Sequence, residues 1–251
     1  LSDVFSQNEP IVIFKEKSIL TLKAMLGAAY AGCHYVMVDP SQPDERVSLI
    51  LDVLKTKTVL ADESEHARLH HLGMDLKLID PKDLLSEIHR EEVLAERYEK
   101  QISTDPLYIL FTSGSTGMPK GVVVSHGSVI DFIDTFTEVF AIDETDIMGN
   151  QAPFDFDVSV KDIYSCLKTG ATLQLIPKTY FSNPMLLLDY LVDEKTTILV
   201  WAVSALCILT TFKALDYRKP VSLRKIMFSG ERMPVRHLKM WRKALPETVF
   251  V

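Results

Sequence analysis

The sequence predicts an α/β protein made of two subdomains, each with a mostly parallel sheet flanked by helices. Three observations predict it. Apolar runs of strand length alternate with stretches of helical spacing along the chain. Strands separated by helices pair in parallel through right-handed crossovers. A charged stretch ending at Ser103-Thr104-Asp105 interrupts the alternation, so the subdomains are expected at residues 1–104 and 105–251.

The elements follow in order. Pro10 to Phe14 is an apolar run suited to a buried strand. Ile19 to Ala31 has helical spacing and is stopped by Gly32. Tyr35 to Val38 is a second strand, closed by Asp39-Pro40. Pro43 opens a helix at a first-turn position, with Asp44 and Glu45 at its positive end. Its buried face is Val47, Ile50, Leu51 and Leu54, and Thr58 to Ala61 is a third strand. Asp83 to Gln101, with Leu84, Leu85, Ile88, Val93 and Leu94 as an apolar stripe, reads as one or two solvated surface helices. Leu107 to Thr112 is a strand, followed by a Gly/Ser/Thr loop and the strand Val122-Val123-Val124. Gly127 to Phe140 is a helix with Val129, Ile133, Phe136 and Phe140 on one side. Later strands are expected at Thr172 to Ile176, Ile198 to Trp201 and Lys225 to Phe228. Asn183-Pro184 provides a cap and first turn for a helix at Met185 to Val192.

Composition narrows the function classes. In 251 residues, 47% apolar content is enough for a substantial core. The net charge of −7, with acids and bases mixed, argues against a nucleic-acid groove, which needs a basic face. It leaves ATP open, because a few backbone N–H groups can hold phosphates on an acidic protein. Cys33, Cys166 and Cys207 form no CxxC pair and read as buried, reduced thiols of a cytoplasmic protein. Leu1 to Pro10 lack the basic start and apolar run of a signal peptide. Ile198 to Leu209, holding Ser204, is too short to span a bilayer and reads as a strand running into a buried helix, so the chain is expected to be soluble. It starts at Leu1 and ends in the strand-like Val249-Phe250-Val251, and is therefore expected to be a piece of something longer.

The most informative segment is Phe111-Thr112-Ser113-Gly114-Ser115-Thr116-Gly117-Met118-Pro119-Lys120-Gly121. Three glycines permit a tight turn and close approach of a ligand, four hydroxyls add donors without bulk, and Lys120 adds a positive charge. Polyphosphate oxygens want that set. It is not a P-loop: the GxxxxGK[ST] rule would need glycine at Pro119, and the lysine is followed by Gly121. A flexible linker of the same composition would not sit between two apolar strands.

This loop, running on through Val122-Val123-Val124-Ser125-His126, resembles the phosphate-binding signature of the adenylate-forming superfamily: acyl-CoA synthetases, luciferase-like enzymes and peptide-synthetase adenylation domains. The upstream run from Leu22 through Gly32-Cys33-His34-Tyr35 to Asp39-Pro40 resembles that family's preceding core motif, so the likeness covers nearly the whole chain. It implies a fold that is part of the family's large N-terminal domain. It implies ATP and Mg2+ as cofactors, with Ser113, Gly114, Ser115, Thr116 and Gly117 as phosphate contacts. Thr112 falls near the magnesium ion, Lys120 near the leaving pyrophosphate, and His126 near the carboxylate and phosphate. Phe228-Ser229-Gly230-Glu231-Arg232 resembles the Gly-Glu segment beside the adenine, which implies that Gly230 and Glu231 bind nucleotide; a strand ending in glycine at a sheet edge suits such an approach.

Phe154-Asp155-Phe156-Asp157-Val158-Ser159-Val160 puts acids among aromatic and β-branched residues, where burial is costly without a cation. It resembles the Phe-Asp-x-Ser-Val signature of amino-acid-activating domains, including D-alanine–carrier-protein ligases. That implies that Asp157 binds the substrate ammonium. On spacing alone Asp157 could instead cap a helix at Val160 to Leu167. Asp155 would share a face with Asp157 in an extended segment, where close carboxylates raise each other's proton affinity. By family position Val158, Lys161, Trp201, Met227 and Ser229 line the side-chain pocket: the bulky Trp201 shortens it, and Lys161 either favours a polar or acidic substrate or points to solvent. The resemblance implies an amino-acid substrate, a small one such as alanine, and a phosphopantetheinyl carrier protein as partner, with neither nucleic acid nor membrane. The family's magnesium-binding Glu turn, ribose-binding Asp, late lysine and C-terminal lid are not in this sequence, so weak nucleotide binding and little turnover are expected of the chain alone. The alternatives are an acyl- or aryl-CoA synthetase on the same scaffold, or a non-catalytic paralogue that keeps the fold.

Overall fold

A computed structural model describes residues 1–2, 4–85, 91–113 and 117–251, with the side chains of residues 85, 91 and 113 left out. Its contacts divide the chain into two compact units: Leu1–Phe132 with Pro153–Asp155, and Ile133–Ala152 with Phe156–Val251.

In the first unit, strands β1 (Pro10–Phe14), β2 (His34–Val38), β3 (Thr58–Ala61), β4 (Lys77–Ile79), β5 (Pro106–Ser113) and β6 (Pro119–Ser125) form a sheet in the order β4-β3-β1-β2-β5-β6. Its pairs are parallel except β5 with β6. Helices α1 (Ile19–Tyr30), α2 (Asp44–Leu54), α3 (Glu63–His71) and α4 (Glu91–Lys100) connect the strands. Local chemistry sets their ends. The Ser18 hydroxyl accepts from the Thr21 N–H at 3.1 Å and caps α1. Gly32, with φ +66, takes the left-handed turn that follows it. The apolar face expected for α2 packs as Val47, Ile50 and Leu51 on Val12, Phe14 and Val36, with Leu54 half-buried at its border. Each such burial contributes about 1.5–3 kcal/mol. Of the expected charged stretch, α4 and a short 3-10 turn at Pro81–Leu85 are seen, and Ile88 lies outside the described residues.

The expected boundary near residue 104 does not match this division. Tyr108 and Ile109 of β5 pair with Tyr35 and Val36 of β2, and the rings of Tyr35 and Tyr108 stack at 5.6 Å. The edge of β2 therefore takes β5, and with it β6, into the first sheet. Helix α5 (His126–Val139) follows β6 and carries the boundary at Phe132.

The second unit holds β7 (Ile147–Asn150), α6 (Val158–Thr169), β8 (Thr172–Leu175), α7 (Pro184–Asp193), β9 (Ile198–Ala202), α8 (Val203–Thr211), α9 (Ala214–Tyr217), β10 (Lys225–Ser229), α10 (Val235–Ala244) and β11 (Val249–Phe250). Its sheet runs β11-β10-β9-β7-β8, and its neighbouring strands pair in parallel. Strand alternation sorts side chains to two faces. Leu199, Trp201 and Ile226 pack with α7, α8 and α10 on one face, including Trp241. Ile198, Val200, Met148 and Met227 pack with Phe136 and Cys166 on the other. Ile198 to Leu209 is the expected strand running into a buried helix. The Asn183 side chain accepts from the Leu186 N–H at 3.2 Å, capping α7 ahead of Pro184 as expected. Ahead of β7, the buried Asp146 carboxylate accepts from Arg224 Nε at 2.7 Å, Thr197 Oγ1 at 2.8 Å and the Asp143 N–H at 3.1 Å. Burial pushes its pKa up, and these donors more than offset that, holding it below the usual carboxylate range. No described helix is long and apolar enough to cross a membrane. All three cysteines are free, with Cys33 and Cys166 buried and Cys207 half-buried.

Candidate active site

The described ends of the expected phosphate loop lie on two antiparallel strands, β5 and β6. Phe111 pairs with Gly121, Thr112 with Lys120 and Ser113 with Pro119. This register sets the Thr112 hydroxyl and the Lys120 ammonium on opposed positions of the two arms, both exposed. Thr112 Oγ1 reaches the Lys120 carbonyl only at 3.5 Å, a marginal bond that a ligand oxygen can replace. The two described glycines do different work. Gly117 has φ +81 and a Cβ there would meet nothing, so it serves the backbone path. A Cβ on Gly121 would stand 2.9 Å from Ile109 Cγ2 and 3.2 Å from the Phe111 ring, so it serves packing. Gly114, Ser115 and Thr116 lie outside the described residues, as does the side chain of Ser113.

The β6 arm is less buried than its sequence implies. Val122 and Val123 are 50% and 57% exposed, because β6 is the outer strand of the sheet. His126 opens α5, with its N–H donating to the Asp105 carbonyl at 3.0 Å. Gln101 Nε2 stands 2.8 Å from His126 Nε2; an amide nitrogen only donates, so the ring accepts there and carries its proton on Nδ1. Burial lowers the pKa of this imidazole, and the Asp105 charge only partly opposes that. The neutral ring thus presents an N–H donor.

In the second unit the sheet reverses strand order between β7 and β9, so the carboxyl ends of its parallel strands form the natural ligand crevice. Asp157 leads into α6 after β7, and Ser229-Gly230-Glu231 follow β10 at that same end of the sheet. Gly230 has φ +85 with open space around it, and Ser229 and Glu231 are exposed. The strand they follow is internal, between β9 and β11, rather than at the sheet edge expected. Asp157 has φ −59 and ψ −25 and makes no side-chain capping bond, so capping does not occupy its carboxylate. Nor is it buried: Asp157 is exposed, in a turn rather than an extended run. The desolvated acid is Asp155, in the first unit. Burial pushes its pKa up, and the Gln42 amide, donating at 2.8 Å, pulls the other way.

A family model described as AMP-binding enzyme matches residues 4–251. The chain belongs to the AMP-binding enzyme family. It is 31% identical over 243 residues to the D-alanine--D-alanyl carrier protein ligase of Staphylococcus haemolyticus (strain JCSC1435), covering 96% of this chain and 48% of that protein. It is 32% identical over 232 residues to the ligase of the same name from Staphylococcus aureus (strain JH9), covering 92% and 46%. The chain thus spans about half the length of the curated relatives it matches. The crystal structure of VinN superposes with a TM-score of 0.83 at 20% identity, over 98% of this chain and 61% of that one. The nonribosomal peptide synthetase FmoA3, in its α-methyl-L-serine-AMP bound form, gives 0.84 at 23% identity, over 98% and 27%. These superpositions show that the chain shares its fold with both proteins.

Within this AMP-binding fold, the expected pocket residues separate. Val158 and Met227 pack on one face of the second sheet, and Lys161 is half-buried one turn along α6 from Asp157. Trp201 lies on the opposite face, 1% exposed, with Nε1 donating to the Gly149 carbonyl at 2.7 Å and the Phe181 ring edge-on at 5.2 Å. Trp201 and Met227 therefore do not line one pocket, because neighbouring strands at this register send them to opposite sides. Sequence reading passed over Gln42 and Arg46. Their signal was slight: a polar residue before Pro43, and an arginine next to the buried Val47.

Proposed function

We propose that this chain carries the nucleotide- and amino-acid-binding part of an adenylating ligase. The parent joins an amino acid to ATP as its aminoacyl-adenylate, then passes the aminoacyl group to the phosphopantetheine thiol of a carrier protein. One observation carries the reading: Asp157 is an exposed carboxylate at the start of α6 with no capping bond, at the carboxyl end of a parallel sheet. That is a site for an ammonium. The names of the carrier-protein ligases that the chain resembles support it. A fatty-acid or aryl-acid pocket has no use for a carboxylate there.

In this reading the substrate carboxylate oxygen bonds to the α-phosphorus and the bridging oxygen leaves with pyrophosphate. The chain's task is to position and neutralise. Thr112, the N–H groups around Gly117 and the loop hydroxyls of Ser113, Ser115 and Thr116 hold phosphate oxygens, and Gly114 gives them room. Lys120 meets the charge that builds on pyrophosphate. His126 donates its Nδ1–H to a carboxylate or phosphate oxygen rather than acting as a base. Gly230 and Glu231 border the adenine, while Val158, Lys161, Met227 and Ser229 face the amino-acid side chain. The described residues hold no cluster of three or more His, Cys, Asp or Glu suited to a metal. Mg2+ would take oxygens from the nucleotide phosphates, with Thr112 adding one from this chain. Thioester formation follows by thiolate attack on the acyl carbon, with AMP as leaving group.

The test is exchange of labelled pyrophosphate into ATP by the protein that contains this chain, with D-alanine, other small amino acids, fatty acids and aryl acids supplied in turn. Exchange that needs an amino acid is expected. Exchange driven only by a fatty or aryl acid, or none with any acid, would overturn the reading.

A further inference from the structure

The first unit contains a side-chain relay that the phosphate hairpin does not need for its own register. Asp155 accepts from Gln42 Nε2 at 2.8 Å. Gln42 Oε1 accepts from Arg46 Nε at 2.7 Å. Arg46 NH2 then donates to the Phe111 carbonyl at 3.1 Å. All four residues belong to the first unit. Gln42 is fixed at its own backbone as well: its N–H donates to the Asp39 carbonyl at 3.0 Å and its carbonyl accepts from Arg68 NH2 at 2.7 Å.

The end point of the relay is informative. The ladder from β2 to β5 pairs Tyr35 with Tyr108 and Val36 with Ile109, and goes no further. Beyond Ile109, no strand among the described residues pairs with β5 on its β2 side. Phe111 is the last residue before Thr112, and its ring lies against Gly121 on the opposite arm. Arg46 thus takes up the backbone where the sheet stops supporting it, one residue short of the proposed phosphate contacts. A guanidinium suits this task because its planar fork can bond the glutamine oxygen and the strand carbonyl together. A lysine could hold one of them.

We propose that Asp155, Gln42 and Arg46 are positioning residues for the nucleotide loop, fixing the approach of β5 so that Thr112 and Lys120 face a bound triphosphate in a constant geometry. This rests on the proposed adenylation reading. None of the three touches the reacting atoms; they act through the Phe111 carbonyl.

The experiment uses the protein that contains this chain and four variants of it: Arg46→Gln, Gln42→Leu, Asp155→Leu and the conservative Asp155→Asn, which keeps an acceptor for Gln42. Amide hydrogen exchange is followed at residues 110–113 and 119–122, with β1 and β3 as internal references, and Mg-ATP binding is measured by calorimetry. Arg46→Gln, Gln42→Leu and Asp155→Leu are expected to speed exchange in the hairpin about tenfold, the weight of one charge-assisted hydrogen bond. They should leave β1 and β3 protected, and Asp155→Asn should behave as the parent. Equal protection of the hairpin in all variants overturns the proposal, as does loosening that spreads equally through β1 and β3 or persists in Asp155→Asn. If the protein that contains this chain binds no Mg-ATP while the hairpin loosens as expected, the relay stands and the adenylation reading falls. If Mg-ATP binds and the hairpin is indifferent, the reverse holds.

Discussion

Asp155 and Asp157 are two positions apart, yet one is half-buried with an amide donating to it and the other stands exposed at a helix start. Residue type and local pattern did not separate them; the turn through residues 154–157 did. Asp157→Asn removes the charge and keeps the shape, so amino-acid-dependent exchange should fall by about 100-fold with ATP affinity unchanged, the loss expected when a charged partner goes unpaired. Equal loss with every carboxylic acid tested would show that Asp157 does not meet an ammonium. Arg224 shows the other side of charge placement. It bonds a carboxylate that is 1% exposed, and Arg224→Met strands that charge. A loss of about 3–5 kcal/mol in urea unfolding at pH 7 is expected. Asp146 has a depressed folded-state pKa, so its stabilisation is complete above the ordinary carboxylate value and is lost as pH falls through the lower one. The gap between parent and Arg224→Met should therefore narrow in strong acid, as read from unfolding midpoints.

The hairpin shows the limits of reading elements singly. Its strands were legible because Leu107 to Thr112 and Val122 to Val124 are apolar and β-branched, and its chemistry was legible from the Gly/Ser/Thr run between them. That β6 turns back antiparallel as the outer strand was not, since pairing partners are set by tertiary packing and not by periodicity. Gly121→Val should break the hairpin: its first side-chain atom would stand 2.9 Å from Ile109 Cγ2 and 3.2 Å from the Phe111 ring. Mg-ATP affinity should fall at least tenfold, with circular dichroism of the helices unchanged; a neutral result would show that the Phe111 ring gives way. Helix limits came out within a residue or two at Ile19–Tyr30, from its spacing and Gly32, and at Pro184–Asp193, from the Asn183-Pro184 cap. Strand β7 escaped notice because Ile147-Met148-Gly149-Asn150 is short and contains glycine, and that glycine is required by Leu199, Thr196 and Ile176 around it.

For the molecule as a whole, the strand–helix rhythm was enough to expect two parallel-sheet units, and the point where β5 chooses its sheet was the part that the rhythm could not supply. The pH response follows from buried imidazoles. Burial lowers the pKa of both His34 and His126, and no hydrogen-bond partner is found for the buried His34 Nδ1. A histidine held neutral in the fold is protonated more readily when unfolded, so its contribution is present above about pH 6.5 and lost as pH falls below that. Urea midpoints should drop between pH 7 and 5, and His34→Leu should flatten the slope; an unchanged slope would assign the effect elsewhere. One feature of the second unit gives a means to follow it separately. The chain's two tryptophans, Trp201 and Trp241, are both fully buried in the same core cluster. Indole fluorescence excited near the red edge of protein absorption therefore reports on the second unit alone. A red shift of that emission during denaturation dates the melting of the β9–β10 core, while the tyrosine-bearing first sheet passes unseen.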